Sequence, residues 1–497
     1  MTELDIVATM PFCALLGGAG IVLLCDLLGI FKGIRLPLTL LAVIGGWVSM
    51  LPQAMFAGQG IHPVAFDGLI SMDLYGVFFS GIISLGTVAG LLLCHNQMVS
   101  QRAHSSVDVD LLMLFAAAGA IVMVVAQNLM VLFLGFELMS VCVYALTGIA
   151  RSERASSEGA LKYFILGAFS SAFLLYGMVL VYGATGSMQI MEISRSLSFA
   201  NPMLLLGVGL MVFGFGFKVA AAPFHFWVSD VYQGAPVSVA AFMAVVVKAA
   251  AFGAFMRVFA SGLAGINVEW QGLIWIICAL SMTVGNLVAL WQRSVKRMLA
   301  YSSIAHAGYA LMGFLVPGEL GGTAATIFYI LGYSVITLAA FGIVLLVTAG
   351  TSAQYDKDSS ETFAGIGWTR PWFGLAMTLA LLSLAGMPPL VGFIGKFYLF
   401  SAVINGGFTG LAIIAALNSV VSLYYYLGLI VVMYFRSDSK EAGASDSLGP
   451  ANQQARRPVV LTWGPRVVVF GATAASVYLG LCSGWWYELA RQAAANL

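Results

Sequence analysis

Five ionisable side chains sit where a 497-residue chain is otherwise almost wholly apolar. Lys162, Lys218, Lys248 and Lys396 fall inside long hydrophobic runs, and Glu137 lies mid-run in "FLGFELMS". An ionisable group at the centre of a bilayer costs about 2.5–3.5 kcal/mol on insertion scales, so such groups face a bundle interior and mark an ion or proton path. Taking an ammonium out of water favours its neutral form, and a nearby carboxylate favours the charged one. A lysine–glutamate pair whose separation or hydration changes therefore takes up and releases a proton. Arginine, which stays protonated, does not suit that task.

The individual residues leave different alternatives open. Glu137 and Lys218 fit a gating pair or a fixed ion pair that locks two helices. Lys162, near the start of its run, fits a relay or a snorkelling anchor. Lys248 in "AVVVKAAAFG" and Lys396 in "VGFIGKFY" have no charged neighbour in sequence and favour a path over a structural role. His225 stands seven residues after Lys218 but beyond Pro223, and is either a relay or a satisfied polar group. His306 leans to the relay, because Ser302, Ser303 and Tyr309 make its stretch polar. Asp230, in "VSDVY", is expected at a helix end, capping or gating.

The elements that must position these groups are membrane helices. Hydrophobic residues make up 61% of the chain and charged ones 9%, far outside soluble usage. A net charge of +1 argues against a nucleic-acid partner. Six dispersed cysteines without a CxxC pair fit neither a disulfide framework nor an iron–sulfur or haem site, and read as small hydrophobes. The opening "MTELDIVATM" carries acids where a secretory signal carries positive charge, so the first span is expected to be retained.

At roughly 20 apolar residues per crossing, the fold class is an all-α polytopic membrane protein of about fourteen transmembrane helices. These begin near residues 6, 36, 71, 108, 128, 158, 201, 236, 268, 298, 320, 371, 407 and 464. The twelfth is interrupted by "GMPP" at 386–389 and reads as a broken helix. Of the 22 basic residues, fifteen fall in loops on one side and only Arg195, Arg257 and Arg491 on the other. The positive-inside rule puts the first side in the cytoplasm and both termini outside. The polar segment 436–457 reads as a flexible cytoplasmic linker.

An internal repeat is expected at one offset. "YALTG" at 144–148 returns as "YALMG" at 309–313, "FILG" at 164–167 as "YILG" at 329–332, Gln127 as Gln292 and Pro223 as Pro388, all 165 residues apart. The unit covers spans 4–8 and then 9–13. Five is odd, so the second copy is inverted, the arrangement of transporters with sites at broken helices. Unwound backbone is tolerated at depth only where protein or water satisfies it, so both breaks predict local water. The boundaries that follow are an N-terminal three-helix segment 1–105, repeats 106–264 and 265–435, a linker 436–463 and a C-terminal helix 464–497.

At "APFHFWVSDVYQGAP" (222–236), "YSSIAHAGYALMG" (301–313) and "GMPPLVGFIGKFYLFSA" (386–402) the chain resembles the antiporter-like membrane subunits of respiratory complex I. By position, Glu137 and Lys218 resemble that family's span-5 glutamate and paired span-7 lysine. Lys248 resembles its central span-8 lysine and Lys396 the lysine at the broken span 12. Lys162 and His225 match the auxiliary span-6 lysine and the histidine after the span-7 break. Two departures, Ser229 and Val237–Ser238, stand where proline and Thr–Pro are common, and bear on loop geometry.

The resemblance implies a proton-translocating subunit of a quinone-reducing NADH oxidoreductase in a bacterial inner (plasma) membrane. Both termini would face the periplasm. It implies no cofactor in this chain, with NADH, FMN, iron–sulfur clusters and quinone in partner subunits. The expected partners are an M-type antiporter-like neighbour, small K-, J- and A-type subunits and the lipid bilayer. The rival readings are a subunit of a multisubunit Na⁺/H⁺ exchanger and a proton-channel subunit of a membrane-bound hydrogenase.

Overall fold

Hydrocarbon offers backbone amides no partners, so an apolar chain of this length folds into helices that satisfy their own hydrogen bonds. The computed structural model of the protein describes residues 3–29, 34–52, 64–101, 106–197, 201–349, 358–436 and 463–497. Among these, eleven helices are long and apolar enough to cross a membrane, and Arg35–Val48, Pro371–Ala385 and Val391–Asn405 are shorter apolar ones.

In chain order the helices are α1 (Glu3–Leu27), α2 (Arg35–Val48), α3 (Leu74–Gln101), α4 (Ser106–Val125), α5 (Leu129–Thr147), α6 (Arg154–Thr185), α7 (Ile190–Arg195), α8 (Pro202–Val219) and α9 (Val228–Gly234). Then follow α10 (Val237–Gly262), α11 (Asn267–Ala289), α12 (Val295–Leu311), α13 (Gly322–Thr348), α14 (Ile366–Thr369), α15 (Pro371–Ala385), α16 (Val391–Asn405), α17 (Thr409–Phe435), α18 (Trp463–Leu481) and α19 (Ser483–Ala494). The most apolar windows of α10 and α13 are buried along their whole length, whereas those of α1 and α17 are only 28% buried. The two former helices are thus the axis of the bundle and the latter its rim. A charge on α10 has no route to water except through other side chains.

Two helices are broken, at the two prolines where interruptions were expected. α8 stops at Ala220, whose φ of 65° is left-handed, passes the cis Ala222–Pro223 bond and resumes as α9. α15 stops at Gly386, with φ 89°, passes the cis Pro388–Pro389 bond and resumes as α16. The two stops are 166 residues apart, and so are the prolines of the two cis bonds. This spacing sets Pro223 against Pro389, whereas the sequence matches at 165 set it against Pro388. The N-caps of α5 and α12, Asn128 and Ser294, share the 166 spacing. A one-residue slip thus separates helix interiors, related by 165, from their punctuation.

Three further points depart from the sequence reading. Two short strands, β1 (Val64–Ala65) and β2 (Ile70–Ser71), pair antiparallel before α3, and Ile70 bridges to Ala126. Arg257, assigned to a loop, lies inside α10 and is fully buried. Lys296, also assigned to a loop, is buried in the first turn of α12, where its Nζ donates to the Gln233 carbonyl and stands 3.3 Å from Asp358. The proposed linker at 436–457 falls outside the described residues from position 437 on.

Candidate functional site

Lys248 lies midway along α10, directly after a π-turn at Met243–Val247, a helix irregularity that recurs at functional sites. Its ammonium reaches α12, where it donates to the carbonyl and the hydroxyl of Ser303, both at 2.6 Å. It also stands 5.1 Å from the centre of the Tyr333 ring, a cation–π contact that softens burial without neutralising the charge.

One residue before Ser303, the Ser302 hydroxyl shares a short hydrogen bond with the Tyr426 hydroxyl of α17. One turn later comes His306. Its Nδ1 is 2.6 Å from the Tyr329 hydroxyl of α13, and its Nε2 is 3.4 Å from the same Tyr426 hydroxyl. The imidazole is close enough to feel the charges of both Lys248 and Lys396. A histidine with a hydroxyl on each ring nitrogen can accept a proton at one and release it at the other.

Lys396 completes this half of the site. The last carbonyls of a helix lack amide partners and carry the negative end of its dipole. The break after α15 leaves such carbonyls deep in the protein, and Lys396, one turn into α16, folds back onto them. Its Nζ donates to Leu384 O at 3.2 Å, Ala385 O at 3.1 Å and Ser419 Oγ at 2.8 Å, 4.9 Å from the Tyr309 ring centre. Gly386 is needed twice here. It takes the left-handed backbone, and a Cβ on it would stand 3.0 Å from Lys396 Cδ. Beside the lysine, Asn286, Asn418, Thr283 and Tyr425 form an amide–hydroxyl cluster between α11 and α17.

The Lys218 region corrects the expected direct pair. Lys218, in the last turn of α8, donates to Ser140 Oγ at 2.7 Å. It is caged by the rings of Phe136, Tyr144 and Tyr163 at 4.8, 5.3 and 5.4 Å. No ion pair joins it to Glu137 among the described residues, and Glu137 Oε1 has no hydrogen-bond partner there. The two still interact through space. The reason is local: Ser140 lies on the same face of α5 as Glu137, one turn on, and its short side chain puts a hydroxyl where the ammonium ends.

Two expected auxiliaries lie elsewhere. The Lys162 side chain is 44% exposed and bonds to Glu158 at 2.8 Å and Asp230 at 2.9 Å. Arg297 grips the other oxygen of Asp230 at 2.9 Å and Gln233 at 3.0 Å. Asp230 therefore ties α6, α9 and α12 together. Partial burial pushes its carboxyl up, but the hydrogen bonds from Lys162 and Arg297 outweigh that and hold it below the usual carboxylate range. His225 stacks on the exposed Phe226, and its Nδ1 has no hydrogen-bond partner. No hydrogen bond links it to Lys218 among the described residues.

The structure thus brings Lys248, His306 and Lys396 into one buried array, keeps Lys218 and Glu137 in a second, and sets Lys162 at the surface. Sequence reading missed Ser140, Tyr329, Tyr333, Ser419 and Tyr426. The signal present was sparse: hydroxyl residues at helical spacing on apolar helices, such as Tyr329 and Tyr333.

Residues 126–422 match the family described as NADH:quinone oxidoreductase/Mrp antiporter, transmembrane. The chain is 43% identical over 415 residues to NADH-quinone oxidoreductase subunit N of Trichlorobacter lovleyi, covering 82% of this chain and 83% of that one. It is 36% identical over 461 residues to the subunit N 1 of Solibacter usitatus, covering 91% of each. Among solved structures it superposes on a chain of respiratory complex I from Thermus thermophilus with a TM-score of 0.76 at 34% identity, covering 97% of this chain and 100% of that one. A chain of the Mrp complex from Dietzia gives a TM-score of 0.84 at 21% identity, covering 100% and 98%, a likeness of fold alone.

Proposed function

The chain belongs to the NADH:quinone oxidoreductase/Mrp antiporter family of membrane subunits, and from that membership we propose that it moves protons across the membrane as the N-type subunit of a quinone-reducing NADH oxidoreductase. The observation that carries the reading is the set of buried hydrogen-bonded groups lying between two lysines: Lys248–Ser303, Ser302–Tyr426–His306 and Lys396–Ser419 at the break. In this reading a proton from the cytoplasmic side reaches Lys248, passes through the hydroxyl and imidazole groups and rests on Lys396. The redox chemistry stays in partner subunits, which hold NADH, FMN, iron–sulfur clusters and quinone. Neighbours of the M, K, J and A types complete the membrane arm.

The fold supplies the frame for this. In this reading α12, the shorter α2 and α15–α16, taken as one broken span, join the eleven longer helices as fourteen crossings, with both termini on one side. The two units 106–264 and 265–435 then form inverted repeats whose breaks meet the path from opposite directions. The concentration of basic residues at the Asp230 end puts that end in the cytoplasm, with the termini outside a bacterial plasma membrane. The Lys218–Ser140 site acts as the controlling element: moving Glu137 towards or away from the caged ammonium changes the field felt along the axis.

The test is Lys248→Ala in the assembled complex in membrane vesicles. NADH-driven acidification is expected to fall to background, with quinone reduction falling alongside it because the two are coupled. Normal acidification would reject the reading. Acidification driven by a sodium gradient without NADH would instead favour the exchanger reading that the shared fold leaves as the alternative.

A further inference from the structure

Arg257 is an unusual residue to find at the axis of the bundle. It lies nine residues beyond Lys248 on α10, about 13 Å along the helix, towards the end remote from the Asp230 cluster. Its guanidinium is fully buried and forks onto Asp73, Nη1 to Oδ2 at 2.7 Å and Nη2 to Oδ1 at 2.8 Å. Its Nε donates to the Val124 carbonyl at 2.8 Å, and its plane lies 4.8 Å from the Tyr75 ring centre. Tyr75 in turn donates to Gly253 O at 2.7 Å, one turn before Arg257. Asp73 also accepts from the Gly76 amide at the head of α3. Every nitrogen of the guanidinium and both carboxylate oxygens are thus bonded.

The surroundings are closed and apolar. Phe252, Phe255 and Phe259 fill the same stretch of α10, each buried. Phe255 packs on Phe215 at 5.0 Å and Phe314 at 4.9 Å, and Phe259 packs on Trp270 at 5.3 Å. A Cβ added to Gly76 would stand 2.9 Å from Val125 Cγ1, and one on Gly253 would stand 2.7 Å from Val124 Cγ1. Well-packed apolar residues of similar volume often replace a buried ion pair without loss of stability, whereas breaking such a pair by removing one partner is strongly destabilising. Stability alone is therefore a weak reason to retain it. An arginine cannot hand on a proton, since it does not give one up in a protein. A bidentate guanidinium–carboxylate pair fills a polar position while engaging all three guanidinium nitrogens and both carboxylate oxygens.

We propose that the Asp73–Arg257 pair is a bolt that seals the end of the bundle beyond Lys248, so that a proton on Lys248 leaves only towards His306 and Lys396. The contrast around Lys248 supports it. Across to α12 and α17 stand Ser303, Ser302, His306 and Tyr426, whereas along α10 towards its far end stand phenylalanines and a locked arginine. The inference rests on the proton-path reading above and adds the residues that make the path one-way at this point.

The experiment uses the whole complex reconstituted in liposomes, with an imposed pH step and no electron donor, so that its outcome does not depend on redox coupling. Arg257→Ala strips Asp73 and the Val124 carbonyl of their guanidinium donors and leaves room for water beside them. It is expected to make the imposed pH difference decay severalfold faster, and Arg257→Lys, which neither forks onto Asp73 nor holds its proton when buried, is expected to leak as well. NADH:quinone turnover of Arg257→Ala is expected to persist while net acidification falls. An assembled Arg257→Ala complex as tight as the unaltered one would overturn the proposal. If that variant does not assemble, Asp73→Asn decides: it keeps the shape of the pair and frees one face of the guanidinium, so a leak supports the bolt and full tightness overturns it. Failure of the unaltered complex to acidify with NADH would count against the proton-path reading and leave the leak result standing.

Discussion

The two breaks in this molecule use their lysines in opposite ways. At the first, Lys218 is part of the helix that ends, and its ammonium turns away from the break to a serine and three rings on other helices. At the second, Lys396 comes from the helix that begins and bonds back to the carbonyls that the break has freed. The first lysine is held by its surroundings, the second by the break itself. A similar interruption thus goes with a charge held by neighbouring helices at one break and a charge held by the freed backbone at the other. The difference follows from position: Lys218 precedes its cis proline by five residues, while Lys396 follows its own by seven.

The largest effect is expected from making both sites permanent cations. Lys396→Arg keeps a charge on the freed carbonyls but cannot release its proton, so NADH-driven acidification should vanish. Lys218→Arg should leave a measurable remnant, because there the charge acts through its field. Equal losses in the two variants, measured side by side by dye quenching in vesicles, would erase the distinction drawn here.

An intermediate effect is expected at the two stops. Gly386→Ala forces a non-glycine residue into φ 89° against Lys396 Cδ and should lower thermal stability by about 1–3 kcal/mol, the usual cost of such backbone. Ala220→Gly, at φ 65°, relieves strain that a left-handed alanine carries, about 1 kcal/mol less the entropy a glycine adds. Opposite signs in the melting temperatures of the solubilised protein would sharpen the comparison, and parallel shifts would contradict it.

The smallest effect concerns the surface clamp that ties α9, beyond the first break, to α6 and α12. The carboxyl of Asp230 is held below its usual range in the folded protein. Its stabilising contribution is complete above the unfolded carboxylate range and drains away as pH falls through the lower folded value. The side chain is more than a third exposed, so solvent screening limits the contribution to less than about 1 kcal/mol. Asp230→Asn should lower the melting temperature slightly near neutrality and not at all once the acid is protonated. A difference that grew on acidification would reverse the sign argued here.

Much of this was legible in the sequence because apolar length, buried lysines and prolines within runs have few explanations in a membrane. Lys248 and Lys396 stood out for that reason, and so did both interruptions. The partners did not. Ser303 is 55 residues from Lys248, Ser140 is 78 from Lys218 and Asp73 is 184 from Arg257, and single serines and aspartates at such distances leave no periodic trace. Arg257 was misplaced because five residues from the end of an apolar run an arginine looks like a loop cation, and only the fold supplies its counter-ion. The one-residue slip at the caps was hidden because matching letters track helix interiors, while stops and cis bonds follow backbone geometry.

The three hydrogen bonds of Lys396 have a numerical consequence. An ammonium has three N–H groups, and here all three are engaged: two by the end of α15 and one by Ser419. A neutral amine has two. A neutral amine also gains a lone pair, so its two N–H groups can stay on the two carbonyls while the third contact reverses. The Ser419 hydroxyl, which donates to Ala385 O at 3.3 Å, would then turn to the amine. The arithmetic of donors thus makes one serine hydroxyl the part of this joint that answers to the charge of the lysine.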